Sequence, residues 1–133
     1  MKDLKVSDVM VRPVISARKN ASARDIAMQL LTGLYSGMPV TDDEGKVIGL
    51  ITELDLLEAV LEDKELAKTT AEDIMSRDPL TVDADTPITE AIKILKEKNV
   101  IRLPVTRNDK LVGVVARCDI LKGLLEPEFV AYM

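Results

Sequence analysis

The sequence predicts a mixed α/β fold of the α+β type. Two pseudo-twofold-related β-α-β-β-α repeats pack together through their sheets. Three observations predict it: four segments recur in order at near-constant spacing, short apolar strands alternate with amphipathic helical stretches, and the composition is globular with an aliphatic core. Of 133 residues, 47% are hydrophobic, and the only aromatics are Tyr35, Phe129 and Tyr132. Val, Ile, Leu and Met must therefore fill the interior.

The recurrence comes first, because self-similarity at a fixed period sets the architecture. Val6-Ser7-Asp8-Val9-Met10 returns as Ala71-Glu72-Asp73-Ile74-Met75, and Met38-Pro39-Val40-Thr41 returns as Leu103-Pro104-Val105-Thr106, each 65 residues on. Val47-Ile48-Gly49-Leu50-Ile51 returns as Leu111-Val112-Gly113-Val114-Val115, and Leu54-Asp55-Leu56-Leu57 returns as Cys118-Asp119-Ile120-Leu121, each 64 residues on. The order is kept and the drift is one residue inside a turn, so the chain divides into repeats at 1–66 and 67–133.

Within each copy a helical turn precedes an extended run, Val14 to Ala17 or Leu80 to Val82. The next helix of the second copy has Thr86 as its cap and Pro87 at its first position, with Ala91, Ile92, Ile94 and Leu95 at helical spacing. In the first copy Ser22 and Asp25 form a capping pair ahead of Ile26, Ala27, Leu30 and Leu34. Two apolar strands then flank the polar turns Asp42-Asp43-Glu44-Gly45 and Arg107-Asn108-Asp109, as a hairpin requires. A second helix is expected near Glu53 to Leu66 and near Arg117 to Leu125, with Pro127 ending the latter. The link Asp63 to Thr70 is polar and charged and offers no second core.

Composition also excludes chemistries. There is no histidine, which removes histidine-based zinc sites, Ser-His-Asp triads and histidine general bases together. No Walker loop is visible, which leaves Asp and Lys as available catalysts and argues against an enzyme. No obligatory cofactor is implied. A formal charge of −5 and three aromatics oppose nucleic-acid binding, although one or two local arginines suffice for a single phosphate. The single Cys118 allows no internal disulfide and fits a reducing, cytoplasmic compartment; it reads as a buried small residue. Lys2, Asp3 and Lys5 interrupt any secretory leader, and no apolar run approaches the ~18 residues of a membrane span.

The residues Asp8-Val9-Met10 and Asp73-Ile74-Met75, the pairs Pro39-Val40 and Pro104-Val105, and above all Gly49-Leu50-Ile51-Thr52-Glu53-Leu54-Asp55 resemble the cystathionine-β-synthase (CBS) domain. The counterpart Gly113-Val114-Val115-Ala116-Arg117-Cys118-Asp119 keeps the Gly and Asp and has Ala for Thr. Two such repeats in tandem resemble a Bateman module over about residues 4 to 125, essentially the whole chain. The resemblance implies a regulatory module that binds AMP, ADP, ATP or S-adenosylmethionine in a cleft between repeats. It implies a regulated protein not encoded here and pairing of modules into a homodimer. The other reading is a structural dimerisation module with a non-functional cleft.

The resemblance also marks residues. Asp55 and Asp119 would accept hydrogen bonds from ribose hydroxyls, a task suited to an acceptor-only carboxylate. Both read equally as helix caps, since Thr52 and Asp55 have capping-box spacing. Thr52 would point at a phosphate or ribose; Ala116 cannot, and Arg117 beside it would compensate or stand as a surface charge. Arg102 matches a phosphate-contacting position whose first-repeat counterpart is Gly37. Ile15 and Tyr35 would line the adenine of the Asp119 site, and Leu80 and Val100 that of the Asp55 site, unless they are ordinary core. Tyr35 is the better stacking partner. The apolar tail Phe129 to Met133 would cover an exposed face or a subunit contact.

Overall fold

A computed structural model of the chain describes residues 3–33 and 36–126. The order of elements is α1 (Val6–Val9), β1 (Ala17–Arg18), α2 (Ala23–Gly33), β2 (Gly37–Thr41), β3 (Val47–Thr52), α3 (Glu53–Leu61), a 3-10 turn (Leu66–Lys68), α4 (Ala71–Ile74), β4 (Ser76–Arg77), β5 (Val82–Asp83), α5 (Ile88–Glu97), β6 (Arg102–Arg107), β7 (Lys110–Ala116) and α6 (Arg117–Leu125). The predicted strand, helix, strand, strand, helix order is present in both copies.

The chain folds into two compact units. One holds residues 15–79, and the other joins residues 1–14 to residues 80–133. The repeat limits expected from the sequence period are 1–66 and 67–133, and packing follows a different cut. Its cause is an exchange of leading segments. The Ala71 and Glu72 N–H groups at the start of α4 donate to the Ala21 and Lys19 carbonyls at 2.9 Å each, and the Ala23 N–H donates to the Thr69 carbonyl at 2.7 Å. Sixty-five residues away the pattern repeats: Val6 and Ser7 at the start of α1 donate to Thr86 and Ala84 at 2.8 and 2.9 Å, and Ile88 donates to Leu4 at 3.0 Å. The segment that opens each repeat is thus held by the loop ahead of the long helix of the other.

In the 15–79 unit the sheet order is β1-β2-β3-β4, with β1 parallel to β2 and the remaining pairs antiparallel. In the other unit the order is β5-β6-β7, and Val11 bridges Val114 antiparallel, the place β4 takes beside β3. Both hairpins carry the same irregularity, at Val40/Thr41 and at Val105/Thr106. The second turn is two residues long, with Asn108 and Asp109 both at positive φ (53° and 66°), the signature of a type I′ hairpin. In the first, the Asp42 carboxylate accepts from the Glu44 and Lys46 N–H groups at 2.9 and 3.0 Å, and Gly45 takes φ 85°.

Each unit has its own aliphatic core. Ile26, Leu30, Val40, Ile51, Leu56 and Ala71 are buried in one, and Val6, Ile88, Leu95, Leu103, Val105 and Val115 in the other. Burying each large aliphatic side chain stabilises the fold by roughly 1.5–3 kcal/mol. The repeated glycines serve the same docking. A methyl group at Gly49 would lie 2.5 Å from the Met75 sulfur and 2.8 Å from the Ser76 carbonyl oxygen; at Gly113 it would lie 2.8 Å from the Met10 sulfur and 3.0 Å from the Val11 carbonyl oxygen. The methionine that closes each opening motif therefore lies on the glycine of the other repeat.

Two local expectations are corrected. The second long helix starts at Ile88 with Pro87 as its flanking residue (φ −60°, ψ 143°), one position later than the Thr86 cap predicts. Pro87 is drawn into extended backbone by its bridge to Lys5, and the Thr86 carbonyl is committed to Val6. The helix expected to run to Leu66 stops at Leu61, where Asp63 turns left-handed at φ 61° and Lys64 donates back to Ala59. The link after it carries structure: Thr69 is buried, its hydroxyl donates to the Glu65 carbonyl at 2.7 Å, and Leu66 packs on the core. The Ser22–Asp25 cap forms, with the Asp25 N–H donating to the Ser22 hydroxyl at 3.1 Å. Leu34, Pro127 and the tail Phe129 to Met133 lie outside the described residues. Among the described residues no helix is long and apolar enough to cross a membrane.

Two outcomes follow. A fragment of residues 15–79 will unfold cooperatively in urea followed by circular dichroism, whereas residues 1–66, which lack α4 and β4, will show no cooperative transition. Gly49→Ala will lower stability by about 1–3 kcal/mol, because the Ser76 backbone cannot move aside as a side chain could.

Candidate functional site

The chemistry-bearing residues gather where the last strand of each hairpin passes into a helix. In the 15–79 unit, Thr52 ends β3 opposite Gly37 and flanks α3. The Thr52 N–H donates to Asp55 Oδ2 at 2.8 Å, the Thr52 hydroxyl donates to the same oxygen at 3.1 Å, and the Asp55 N–H donates to that hydroxyl at 3.3 Å. The Glu53 N–H donates to the Ser36 carbonyl at 3.0 Å. The capping box expected of Thr52 and Asp55 is complete, and it uses the Thr52 hydroxyl in both directions.

In the other unit Ala116 ends β7 opposite Arg102 and flanks α6. The Ala116 N–H donates to Asp119 Oδ2 at 2.8 Å, and the Arg117 N–H donates to the Ile101 carbonyl at 3.0 Å. Ala116 has no side-chain acceptor, so only half of a box exists and the Asp119 N–H has no side-chain cap. The Arg117 Nε donates to the Val100 carbonyl at 3.0 Å, which holds its guanidinium over this junction. Val100, Arg102, Arg117 and Asp119 are therefore brought together at one end of the sheet. Arg102 and Arg117 are exposed, and Asp55 and Asp119 are half-buried.

Leu80 and Val100 are half-buried at the edge of their unit's core. Ile15 is 41% exposed, ahead of β1. Tyr35 lies outside the described residues. Cys118, expected to be buried, is exposed, because the second position of α6 faces outward; its sulfur lies 3.9 Å from Asp119 Oδ1. Among the described residues no group of three His, Cys, Asp or Glu could hold a metal ion.

Two features escaped the sequence reading. The same aspartate cap occurs at the four-residue helices: the Lys5 N–H donates to Asp8 Oδ2 at 2.8 Å and the Thr70 N–H donates to Asp73 Oδ2 at 3.0 Å. The signal was present in the aspartate of each opening motif. Capping is thus a general task of this aspartate, and any ligand role of Asp55 and Asp119 falls to the remaining oxygen. The second feature is Glu53, an acid at the position where the other repeat has Arg117, also legible in the alignment of the repeats. The backbone and hydroxyl hydrogen bonds from Thr70 hold the Asp73 carboxyl below its ordinary range, and the backbone N–H groups of Lys46 and Glu44 do the same for Asp42.

The profile of the CBS domain matches residues 6–62 and 71–126. The chain belongs to the CBS-domain family. This CBS pair is 34% identical over 133 residues to the uncharacterized protein MK0525 of Methanopyrus kandleri, covering 98% of the chain and 67% of that relative. The chain spans only 38% and 39% of the length of two further relatives, and 15% to 36% of relatives that carry enzyme names. Among solved structures, it is similar to the CBS domain pair of protein MJ0100 in complex with 5′-methylthioadenosine and S-adenosylmethionine, with a TM-score of 0.76 and 28% identity over 92% of this chain and 97% of that one. It is also similar to CBSX2 in complex with AMP, with a TM-score of 0.79 and 25% identity over 93% and 98%.

Thr52→Ala will cost about 1 kcal/mol in chemical denaturation through loss of the α3 cap. Because the folded-state pKa values of Asp73 and Asp42 are depressed, their stabilisation is present above the ordinary carboxylate range and is lost as pH falls through it. Asp73→Asn will flatten the acid limb of a melting-temperature profile between about pH 5 and pH 2.

Proposed function

We propose that this CBS pair is a regulatory module that binds adenosine-containing ligands (AMP, ADP, ATP or S-adenosylmethionine) at the strand-to-helix junctions of α3 and α6, and that it is not itself an enzyme. One observation carries the reading. At both junctions the cap engages Oδ2 of the aspartate and leaves Oδ1 as an acceptor outside the backbone bonding. A carboxylate oxygen on a half-buried side chain suits a ribose diol, and the neighbouring helix N-terminus suits an anion. The complexes of MJ0100 with adenosine compounds and of CBSX2 with AMP support the same ligand class. Thr52, Asp55, Arg102, Arg117 and Asp119 supply the polar contacts, and Ile15, Tyr35, Leu80 and Val100 supply apolar surface for the base. The module acts on a separate or attached protein in the cytoplasm, where an exposed thiol such as Cys118 stays reduced.

A specific observation favours an interaction role as well. On α3, Leu54, Leu57 and Leu61 lie along one side and are 62%, 60% and 83% exposed, while Leu56 and Ala59 face the core. Met28 and Leu31 of α2 are 54% and 67% exposed. An apolar face of this kind marks a partner surface, and the partner proposed here is a second copy of the chain.

In a thermal-shift panel of AMP, ADP, ATP and S-adenosylmethionine, at least one will raise the melting temperature. A ligand at 100 times its dissociation constant adds about 2.7 kcal/mol. Asp55→Asn with Asp119→Asn keeps a capping oxygen and replaces the other with a donor, so it will abolish that shift without loss of folding. An unchanged melting temperature across the panel would leave the interaction role standing alone. Sedimentation at micromolar concentration will show a dimer, and Leu57→Glu with Leu61→Glu will convert it to a monomer.

A further inference from the structure

We infer that the two junctions sort adenosine ligands by charge. The α6 junction takes a 5′-phosphorylated adenosine, and the α3 junction takes an adenosine whose 5′ substituent is uncharged or cationic. The inference rests on the adenosine reading above and gives each junction its ligand class.

The α6 junction is built for an anion. Arg117 occupies the first position of the helix, and its guanidinium is held there by the Val100 carbonyl at 3.0 Å. Arg102 stands directly across the ladder from Ala116. The ion pairs among the described residues involve neither arginine, so both positive charges are available to a ligand. With Ala116 as the flanking residue, no hydroxyl occupies the Asp119 N–H. Two arginines and an open backbone donor at the positive end of a nine-residue helix favour a phosphate, which guanidinium groups grip with charge-assisted bonds.

The α3 junction has the opposite character at each of these positions. Glu53 stands where Arg117 does in the other repeat, so Glu53 and Asp55 place two carboxylates in the first turn. The Thr52 hydroxyl closes the Asp55 N–H that the other junction leaves open. Gly37 stands where Arg102 does, and a Cβ there would lie 2.9 Å from the Ile51 carbonyl oxygen and 3.3 Å from Thr52 Cγ2, so the backbone leaves no room for a basic side chain. Two carboxylates repel a phosphate and attract a cationic substituent such as a sulfonium, while the ribose acceptor is retained.

Isothermal titration of the full chain with AMP and with 5′-methylthioadenosine tests the sorting. The expected result is that Arg102→Gln with Arg117→Gln weakens AMP at least about tenfold, the effect of losing one charge-assisted contact, and leaves 5′-methylthioadenosine within about twofold. Arg102→Gln alone, at an exposed residue, will weaken AMP in the same direction and guards against misfolding of the double variant. Raising the salt concentration will weaken AMP and not 5′-methylthioadenosine. Asp119→Asn will remove AMP binding, and Asp55→Asn will remove 5′-methylthioadenosine binding. If both compounds bind but the arginine variants weaken them equally, or neither, the sorting is overturned and the adenosine reading survives. If neither compound binds the unaltered chain, both fall together.

Discussion

The reciprocal hydrogen bonds between the opening segment of one repeat and the loop of the other are the constraint on which this structure depends. A helix of four residues has no stability of its own, because nucleation fixes several dihedrals for each bond gained. Yet α1 and α4 place Val6 and Ala71 at full burial. They do so because their first N–H groups find carbonyls at Thr86, Ala84, Ala21 and Lys19, and because Met10 and Met75 lie on glycines that leave them room. Docking supplies what local propensity cannot, and in the 15–79 unit it brings β4 to the edge of β3.

That scaffold leaves the strand-to-helix junctions free to differ. The aspartate cap is common to α1, α3, α4 and α6, so the fold retains its helix starts whatever occupies the neighbouring positions. Thr52 and Ala116, Glu53 and Arg117, and Gly37 and Arg102 are pairs at matching places with different charge or hydrogen-bonding capacity. Duplication has preserved the carboxylate oxygen at both places and changed its electrostatic surroundings.

Much of this was legible because it is local. The hairpins announce themselves through polar turns, and the Ser22–Asp25 and Thr52–Asp55 caps through three-residue spacing. The repeat period identified every paired element. It did not reveal which copy each opening segment joins, since a period carries no information about the partner of an edge strand. The start of α5 shifted from Pro87 to Ile88 for the same reason: backbone bonds from Leu4, Lys5 and Val6, remote in sequence, override the local cap signal. At the junctions, the residue types point to Asp55 and Asp119, but it is the three-dimensional packing that spends one oxygen of each on the backbone and tethers Arg117 to Val100.

The discontinuous unit also orders the birth of the molecule. As the chain leaves the ribosome at about 5–20 residues per second, residues 15–79 form a contiguous stretch that completes its own sheet once Arg77 has emerged. Residues 6–11, translated before that stretch, dock on a loop and a sheet translated after it. That segment therefore has no partners, with Val6 and Met10 in water, until β7 is translated. A chain stalled before β7 would leave that apolar segment without the core it packs into.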